Sequence, residues 1–174
     1  MDPIQRRLHQ EYKDMCELRD KCRGMFEFEV SEDYRLYDIK LIGIETLVGT
    51  TEEDMRMSNY HEFSVKVPLN PKLENPNIKF KEPIFHPNWY KRGKVCYGGQ
   101  LTMDDRISEL VIDIVNMMQY KIVNLDNPTD HGDAKRWYER NRDNIKSIIP
   151  QIQFPPSDTS ELEFYDNDDE LEFY

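Results

Sequence analysis

Residues 83–98 read P-I-F-H-P-N-W-Y-K-R-G-K-V-C-Y-G, and this stretch decides the fold. Pro83 and Pro87 exclude a regular helix or an interior strand here, because proline lacks a backbone N–H and has a fixed φ. Three glycines, one before and two after Cys96, permit tight turns around the cysteine. We therefore predict that Cys96 lies on a shaped loop, where a rigid scaffold often carries reactive residues.

The order of residues within this stretch is distinctive. His86, Pro87 and Asn88 form a His-Pro-Asn tripeptide, and Cys96 follows the asparagine by eight residues. This motif and its spacing resemble the signature of the ubiquitin-conjugating enzymes.

Two flanking segments are also similar to that family. They are the proline-rich run at 68–80 and the Asn-Pro-Thr-Asp sequence at 127–130, so the resemblance covers roughly residues 1–150. It implies an α+β fold with an N-terminal helix, a four-stranded antiparallel meander and two C-terminal helices.

The resemblance also implies an activity. A ubiquitin-conjugating enzyme takes the C-terminus of ubiquitin or a ubiquitin-like modifier as a thioester on its cysteine, here Cys96, and passes it to a lysine amine of a target or ligase. Cysteine suits both acyl transfers because its thiolate is intrinsically nucleophilic. The implied partners are the modifier, an activating enzyme, and a ligase or target protein, with no cofactor.

Hydrophobic periodicity predicts the same order of elements without reference to the family. Consecutive strands after a first helix favour an antiparallel meander over a βαβ sheet. Residues 45–60 are predicted to be a long polar link between the second and third strands. The predicted elements are a helix at 2–23, strands at 25–30, 36–44, 61–67 and 78–80, and helices at 107–119 and 133–149.

Two residues of the tripeptide have predicted roles. The side-chain amide of Asn88 can stabilise the oxyanion of a tetrahedral intermediate, and such a donor contributes ~3–4 kcal/mol at other oxyanion sites. Alternatively, Asn88 only holds the loop by bonding backbone, and the resemblance is compatible with either role. His86, followed by Pro87, is predicted to bond nearby backbone and to support the loop rather than act as a base.

Asp130 matches the family residue that assists the attacking amine. A lysine of pKa ~10.4 is less than ~0.1% neutral at pH 7, so a carboxylate that orients it and accepts its proton would help. The alternative is a turn residue, or a cap for the helix that follows.

The first predicted helix carries Arg6 and Arg7 in its first turns. One interpretation is a solvated basic face. The resemblance implies another, since in the family this helix docks the activating enzyme partly through basic residues. Cys16 and Cys22 lie six residues apart on the same helix and are interpreted as packing residues.

The chain also departs from the usual family pattern. Cys96-Tyr97-Gly98 replaces Cys-Leu-Asp, and residues 103–106 replace the Trp-x-Pro of the following loop, which puts docking to an ordinary RING ligase in doubt. The sequence His131-Gly132 replaces Pro-Leu. The Cys-x-Gly-Gly pattern, with Ala134, Trp137 and Tyr138 downstream, resembles the divergent conjugating enzymes of prokaryotic ubiquitin-like operons.

Charge divides the chain into two parts. Residues 157–174 hold eight acids and no base, whereas the rest carries 23 basic and 26 acidic residues. We predict a catalytic domain at 1–153 and an acidic tail at 154–174 that is disordered when free. The tail repeats E-L-E-F-Y at 161–165 and 170–174, which indicates either a solubilising segment or a short recognition motif.

Several classes of function are disfavoured. An acidic chain is a poor ligand for nucleic acid, and no apolar run is long enough to span a membrane. Three cysteines without framework spacing argue against a secreted disulfide scaffold, so we expect a cytoplasmic protein. The sequence predicts no metal site and no ATP-binding loop.

Two other readings compete with an active conjugating enzyme. One is an inactive variant of the same fold that serves as a binding module or scaffold. The other is a cysteine hydrolase that pairs Cys96 with His61, His86 or His131, although such enzymes need a histidine placed on the thiol.

Overall fold

The computed structural model describes residues 2–70, 74–97, 105–126 and 129–157. The predicted Asn127-Pro128 turn, the whole loop at 98–104 with its two glycines, and the two E-L-E-F-Y repeats lie outside these ranges. The helices and strands are α1 (Pro3–Lys21), β1 (Phe26–Val30), β2 (Leu36–Val48), β3 (Arg56–Lys66), β4 (Asn77–Phe80), α2 (Ile107–Met118), α3 (Gly132–Asn141), a 3₁₀ turn (Arg142–Asn144) and α4 (Ile145–Ile148).

The four strands form one antiparallel sheet in the order β1-β2-β3-β4. Each strand therefore pairs with its neighbour in sequence, and the predicted meander is confirmed. Helix α1 precedes the sheet and the other helices follow it, which confirms the predicted α+β class.

The first helix begins where the sequence predicts. Asp2 is its N-cap and accepts a bond from the Ile4 N–H at 3.4 Å, while Pro3 occupies the first turn. One face buries Leu8, Met15 and Leu18. Cys22 is the C-cap and is fully buried, which agrees with a packing role.

The predicted polar link at 45–60 is wrong. Strand β2 continues to Val48 and β3 already begins at Arg56, so only 49–55 connects them. A bulge separates the Ile42 and Thr46 registers, with Gly43 at φ +85° inside it, and the apolar alternation breaks there. The start of β3 is polar and exposed, yet its backbone still pairs with β2, because ladder bonds do not require apolar side chains.

The last predicted helix, 133–149, is interrupted. It is α-helical to Asn141, passes through the 3₁₀ turn and resumes for one turn at Ile145. The Asn141 side chain donates to the Trp137 carbonyl at 2.8 Å, and such local bonds by asparagine compete with the helical ladder. Hydrophobic periodicity alone does not reveal this side-chain bond, so it predicted a continuous helix.

One face of the sheet packs against α1 and α2 to form the main core. Phe154 belongs to this core, where it is buried and meets the Phe26 ring at 6.4 Å between centroids. The packed chain therefore extends at least to Phe154. A second cluster packs α3 and α4 against Phe85 and Tyr120. Within the described ranges, no helix is long and apolar enough to cross a membrane.

Candidate active site

The stretch that contains the tripeptide is fastened to the end of β2. The Phe85 N–H donates to the Leu47 carbonyl at 2.8 Å, and the Gly49 N–H donates to the Pro83 carbonyl at 3.1 Å. Because these are backbone bonds, the path of the chain here does not depend on the rotamer of any side chain. The tripeptide therefore starts from a fixed position.

Residues 88–96 then form a short hairpin, which we call the cysteine hairpin. Trp89 and Val95 pair across it, and the Tyr90 N–H donates to the Lys94 carbonyl at 2.8 Å. At its base the Cys96 N–H donates to the Asn88 carbonyl at 2.8 Å. The asparagine and the cysteine of the motif, eight residues apart in sequence, are thus backbone neighbours.

Gly93 docks the cysteine hairpin on the edge of the sheet. Its carbonyl accepts from the Phe80 N–H at 2.9 Å, and its φ is +92°. A Cβ at this position would lie 2.2 Å from the Phe80 carbonyl oxygen, which is far inside contact distance. Only glycine allows this approach and this φ together.

Aromatic packing fills the space beneath the cysteine hairpin. Trp89 is fully buried, with its ring 5.4 Å from Phe80 and 5.1 Å from His86 between centroids. Both contacts have edge-to-face geometry, which favours the pairing of aromatic quadrupoles. The hairpin therefore rests on the core of the domain.

His86 is completely buried, and its Nδ1 accepts from the Asn88 N–H at 3.0 Å. Burial lowers the pKa of this imidazole to about 3, so the ring is neutral at physiological pH. The Nδ1 lone pair is already used by backbone. His86 consequently supports the loop and is poorly suited to accept a proton from a substrate.

Asn88 is also fully buried, and its side chain binds the loop after α2 through both ends of its amide. Nδ2 donates to the Asn124 carbonyl at 2.7 Å, and Oδ1 accepts from the Asn124 N–H at 2.9 Å. This paired bond connects the cysteine hairpin to residues 121–126. It accounts for one of the two protons on Nδ2.

The three cysteines differ in their surroundings. Cys96 is half-buried at the base of the hairpin, whereas Cys22 is buried and Cys16 lies half-buried on α1. Burial raises the pKa of the Cys22 thiol to about 11, so that thiol stays protonated and unreactive. Cys96 is the cysteine whose backbone is bonded to Asn88 of the tripeptide.

Asp130 lies beside the other end of the cysteine hairpin. Its exposed carboxylate accepts from the Lys91 N–H at 2.8 Å through Oδ1. Asp130 is not the cap of α3, since His131 occupies the N-cap position. Asp130 therefore lies towards the tip of the hairpin, while Cys96 lies at its base.

Thr129 is a residue that the sequence analysis missed. Its hydroxyl oxygen is 2.8 Å from the Pro87 carbonyl and 2.9 Å from the Trp89 carbonyl. These two bonds attach the segment before α3 to residues 87–89 and so position the neighbouring residue, Asp130. The only signal for it was its place beside Asp130 in the Asn-Pro-Thr-Asp turn.

With this geometry in place, the chain can be compared with known proteins. The model of the ubiquitin-conjugating enzyme family matches residues 7–152. The chain belongs to the ubiquitin-conjugating enzyme family. It is 30% identical over 94 residues to ubiquitin-conjugating enzyme E2 2 of Kluyveromyces lactis, which is 54% of this chain and 52% of that protein. The chain thus spans about half the length of the curated relative that it matches.

Arg6 and Arg7 of this ubiquitin-conjugating family member lie in different surroundings. Arg6 is exposed, whereas Arg7 has its Nε 3.5 Å from an oxygen of Glu11, a carboxylate that is fully buried. Arg6 is therefore open to a partner. Much of the charge of Arg7 is balanced inside the protein.

Glu11 joins α1 to α2 and was also missed from the sequence. Its Oε2 accepts from the Ile107 N–H at 2.9 Å, at the start of α2, and Arg106 lies 3.9 Å from Oε1. Burial raises the pKa of Glu11, and the Ile107 bond and the Arg7 charge oppose that rise. A hydrogen bond from the start of α2 to the buried Glu11 carboxyl group thus connects the two helices.

The histidines do not complete a Cys–His pair. His61 bonds the Ile44 carbonyl at 2.7 Å, and the buried ring of His131 packs on Phe85 at 5.1 Å between centroids. Burial lowers the pKa of both imidazoles. Within the part of the chain that the structure describes, no hydrogen bond links Cys96 to a histidine, so the hydrolase reading gains no support.

Proposed function

We propose that this chain is an active conjugating enzyme that carries ubiquitin or a ubiquitin-like modifier as a thioester on Cys96 and delivers it to a lysine amine. The observation that carries the proposal is a half-buried thiol at the base of a hairpin bound to the sheet on one side and to the Asn124 loop on the other. A rigid support of this kind holds a nucleophile in one orientation for both transfers.

In the first transfer, the Cys96 thiolate attacks the carbonyl carbon of the modifier's thioester on an activating enzyme. The bond from that carbon to Cys96 Sγ forms, and the bond to the activating enzyme's sulfur breaks, so that sulfur leaves as a thiolate. No net oxidation or reduction occurs. Thiolate nucleophilicity is the property that this step requires.

In the second transfer, a lysine nitrogen attacks the thioester carbon. An amide bond forms, the bond to Cys96 Sγ breaks, and the amine loses a proton. We assign that proton to Asp130, through the Oδ2 oxygen, because Oδ1 is already engaged by the Lys91 N–H. Because Asp130 lies towards the tip of the hairpin and Cys96 at its base, we assign the carboxylate to orienting the approaching lysine and taking up its proton through water.

Asn88 has two roles in this proposal. Its amide holds the loop at 121–126 against the cysteine hairpin through the paired bond to Asn124. The second Nδ2 proton is the donor that we assign to the oxyanion of each tetrahedral intermediate. The first role is supported by the two bonds between Asn88 and the Asn124 backbone, whereas the second requires the intermediate to form beside Asn88.

The partners are part of the proposal. They are a ubiquitin-like modifier, an activating enzyme that docks on α1 through Arg6, and a target protein or ligase, in the cytosol where a thiol stays reduced. We further propose that the enzyme belongs to a prokaryotic ubiquitin-like operon. A cognate activating enzyme encoded beside it would support that assignment, and an isolated locus among eukaryotic genes would contradict it.

A thioester assay tests the proposal. The protein is mixed with the candidate modifier, the activating enzyme and ATP, and an adduct that reducing agent cleaves is expected. The adduct should vanish in Cys96→Ala and become a reduction-resistant ester in Cys96→Ser. Cys16→Ala is the matched control and should still form the thioester.

A second assay measures discharge of the thioester to lysine, the step in which we propose that Asp130 acts, separately from its formation. Asp130→Ala should charge normally and lose its thioester to free lysine more slowly, by about tenfold or more. If no adduct forms with the cognate activating enzyme present, the alternative of an inactive binding module takes the place of this proposal.

A further inference from the structure

Asp130 is exposed, yet the residues on both sides of it are anchored to the protein. The ring of His131 is buried and lies edge-on to Phe85, with 5.1 Å between the ring centroids. The His131 N–H in turn donates to the Thr129 hydroxyl oxygen at 3.2 Å. The backbone of Asp130 is therefore held on both sides, and its carboxylate reaches solvent from a fixed point.

The Thr129 hydroxyl connects this segment to the tripeptide and to the residue after it. Its oxygen lies 2.8 Å from the Pro87 carbonyl and 2.9 Å from the Trp89 carbonyl. A hydroxyl has one proton, so the two carbonyls share it as a bifurcated bond or take it in turn. Because these carbonyls belong to the residues on either side of Asn88, Thr129 sets the spacing between Asn88 and Asp130.

A third bond holds the carboxylate itself. The Lys91 N–H donates to Asp130 Oδ1 at 2.8 Å. Lys91 is the second residue of a turn that the Gly93 N–H closes by donating to the Tyr90 carbonyl at 2.9 Å. Because the Lys91 donor is a backbone group in a closed turn, its direction does not depend on a side-chain rotamer. The carboxylate is thus oriented with Oδ1 towards the hairpin.

Asn88 does not depend on Thr129 for its position. Its backbone N–H donates to His86 Nδ1, its carbonyl accepts from the Cys96 N–H, and its side chain makes the paired bond to Asn124. Loss of the Thr129 hydroxyl should therefore release the chain around the carboxylate and leave the asparagine in place.

We propose that Thr129 is a positioning residue for the transfer to lysine: its hydroxyl, with the Lys91 N–H, holds the Asp130 carboxylate where the incoming amine arrives. This inference rests on the conjugating function proposed above. In that transfer the lysine nitrogen forms a bond to the thioester carbon, the bond to Cys96 Sγ breaks, and the amine proton passes through water to the carboxylate. Loading of Cys96 removes no amine proton, so it does not require this arrangement.

Removal of the hydroxyl tests the proposal. Thr129→Val keeps the shape of the side chain and loses its hydrogen bonds, whereas Thr129→Ser keeps the hydroxyl. Discharge of the preformed thioester is followed over a range of free lysine concentrations, at a temperature where both variants are folded by circular dichroism. Because a small displacement of a catalytic group slows a reaction, the maximal discharge rate of Thr129→Val should fall about five- to tenfold. Charging should fall far less, and Thr129→Ser should recover most of the lost discharge rate.

A double variant separates positioning from a general structural role. Thr129→Val/Asp130→Ala should discharge at the rate of Asp130→Ala alone, since without the carboxylate nothing is left to position. If the effects of the two exchanges multiply instead, Thr129 acts independently of Asp130 and the proposal is overturned. An equal loss of charging and discharge in Thr129→Val would overturn it as well, because only the stability of the loop would then depend on the hydroxyl.

Lys91 provides a second test that leaves Thr129 unchanged. Proline is favoured at the second position of a turn, so Lys91→Pro removes the N–H and keeps the turn. Lys91→Ala is the matched control, because it also loses the ammonium group but keeps the N–H. Discharge should be at least about threefold slower in Lys91→Pro than in Lys91→Ala, with similar charging. Equal discharge rates in these two variants would overturn the proposal, whether or not Thr129→Val folds.

The same assays distinguish failure of this inference from failure of the proposed function. Absence of a thioester on the wild-type protein would refute the conjugating function. Wild-type discharge by Asp130→Ala would refute the role of the carboxylate and, with it, the need to position it. Slow discharge by Asp130→Ala together with wild-type discharge by Thr129→Val would refute the role of Thr129 alone.

Discussion

The cysteine hairpin and the α1–α2 junction each bury one titratable side chain, and they do so in opposite ways. At the hairpin, His86 is neutral and receives a backbone N–H from Asn88. At the junction, the Glu11 carboxylate caps α2 and has Arg7 and Arg106 beside it. The first region contains neutral hydrogen bonds and close packing, whereas the second contains a buried carboxyl group beside two arginines.

This difference predicts how the stability of each region should respond to salt, to mutation and to pH. Neutral hydrogen bonds in a buried network are insensitive to salt and depend on accurate geometry. A buried charge depends on its partners and on pH. We therefore expect the site to be sensitive to shape and to protonation of His86, and the junction to respond to pH with the opposite sign.

The largest effect should come from Gly93→Ala. The new Cβ would collide with the Phe80 carbonyl and would also occupy φ +92°, so backbone must shift. Strain and overpacking together predict a loss of roughly 3–5 kcal/mol in the free energy of unfolding, measured by urea titration.

Gly24→Ala is the matched control. Gly24 has a similar φ of +85°, but nothing lies within 4 Å of its added Cβ. Only the conformational strain of about 1–2 kcal/mol applies there. Equal losses in the two variants would contradict the view that close packing fixes the hairpin.

Asn88→Ala should have the second largest effect. It removes both bonds to Asn124 and leaves a backbone N–H and a carbonyl without partners, at a cost of about 2–3 kcal/mol. Asn124→Ala is the control, because Asn88 binds only the backbone of Asn124. The exchange removes the exposed bond from the Asp126 N–H to Asn124 Oδ1 and should cost about 1 kcal/mol or less. A comparable loss in Asn124→Ala would mean that the loop is held by other contacts.

Much of this arrangement could be predicted from the sequence. The tripeptide and its spacing to Cys96 specified the loop, and alternation specified the sheet, because both are local patterns. The strand ends at 45–60 could not be predicted, since the bulge at Gly43 interrupts the alternation while the ladder continues beyond it. The break after Asn141 was missed for a similar reason, because a side-chain bond overrides periodicity.

Hydrogen bonds between residues far apart in sequence could not be predicted, for a different reason. Glu11 binds Ile107 across 96 residues of sequence, and Thr129 binds Pro87 across 42. No local pattern marks such a pair, and an acid on a helix is usually solvated. Asn88 was predicted to bond backbone or to serve as a donor, but the identity of Asn124 as its partner needed the fold.

A third prediction is that acid destabilises the protein through protonation of His86, which precedes the hairpin. The His86 pKa is near 6.5 in the unfolded chain and about 3 in the folded one, so below pH 6.5 the unfolded state binds more protons. The stability from neutral His86 is present above pH 6.5 and is lost as pH falls towards 3. Between pH 7 and 5 the loss should be about 2 kcal/mol.

Urea titrations of wild type and His86→Gln at both pH values check this expectation. The variant should lose about 2 kcal/mol less than wild type over that interval, whatever its stability at pH 7. An identical loss would mean that His86 does not differ in protonation between the two states.

The smallest effect on stability should come from Glu11→Gln. Its dependence on pH should be opposite to that of His86, because Glu11 destabilises the folded protein as pH rises. Burial raises the folded pKa of Glu11 above its ordinary value, so the folded state binds the proton more readily. The stability from that proton is present below the unfolded pKa and is lost as pH rises through the folded one. Wild type should therefore lose stability relative to Glu11→Gln as pH rises above about 4.3.

Glutamine keeps an oxygen for the Ile107 N–H, so the helix cap survives the exchange and only the titration is removed. The measurement is the free energy of unfolding of both proteins from pH 4 to 7, with Glu17→Gln, an exposed acid on the same helix, as the control. Only the Glu11 exchange should change the slope with pH. If wild type instead gained stability over Glu11→Gln with rising pH, the charges of Arg7 and Arg106 would outweigh burial, and the junction would be a net ion pair rather than a desolvated acid.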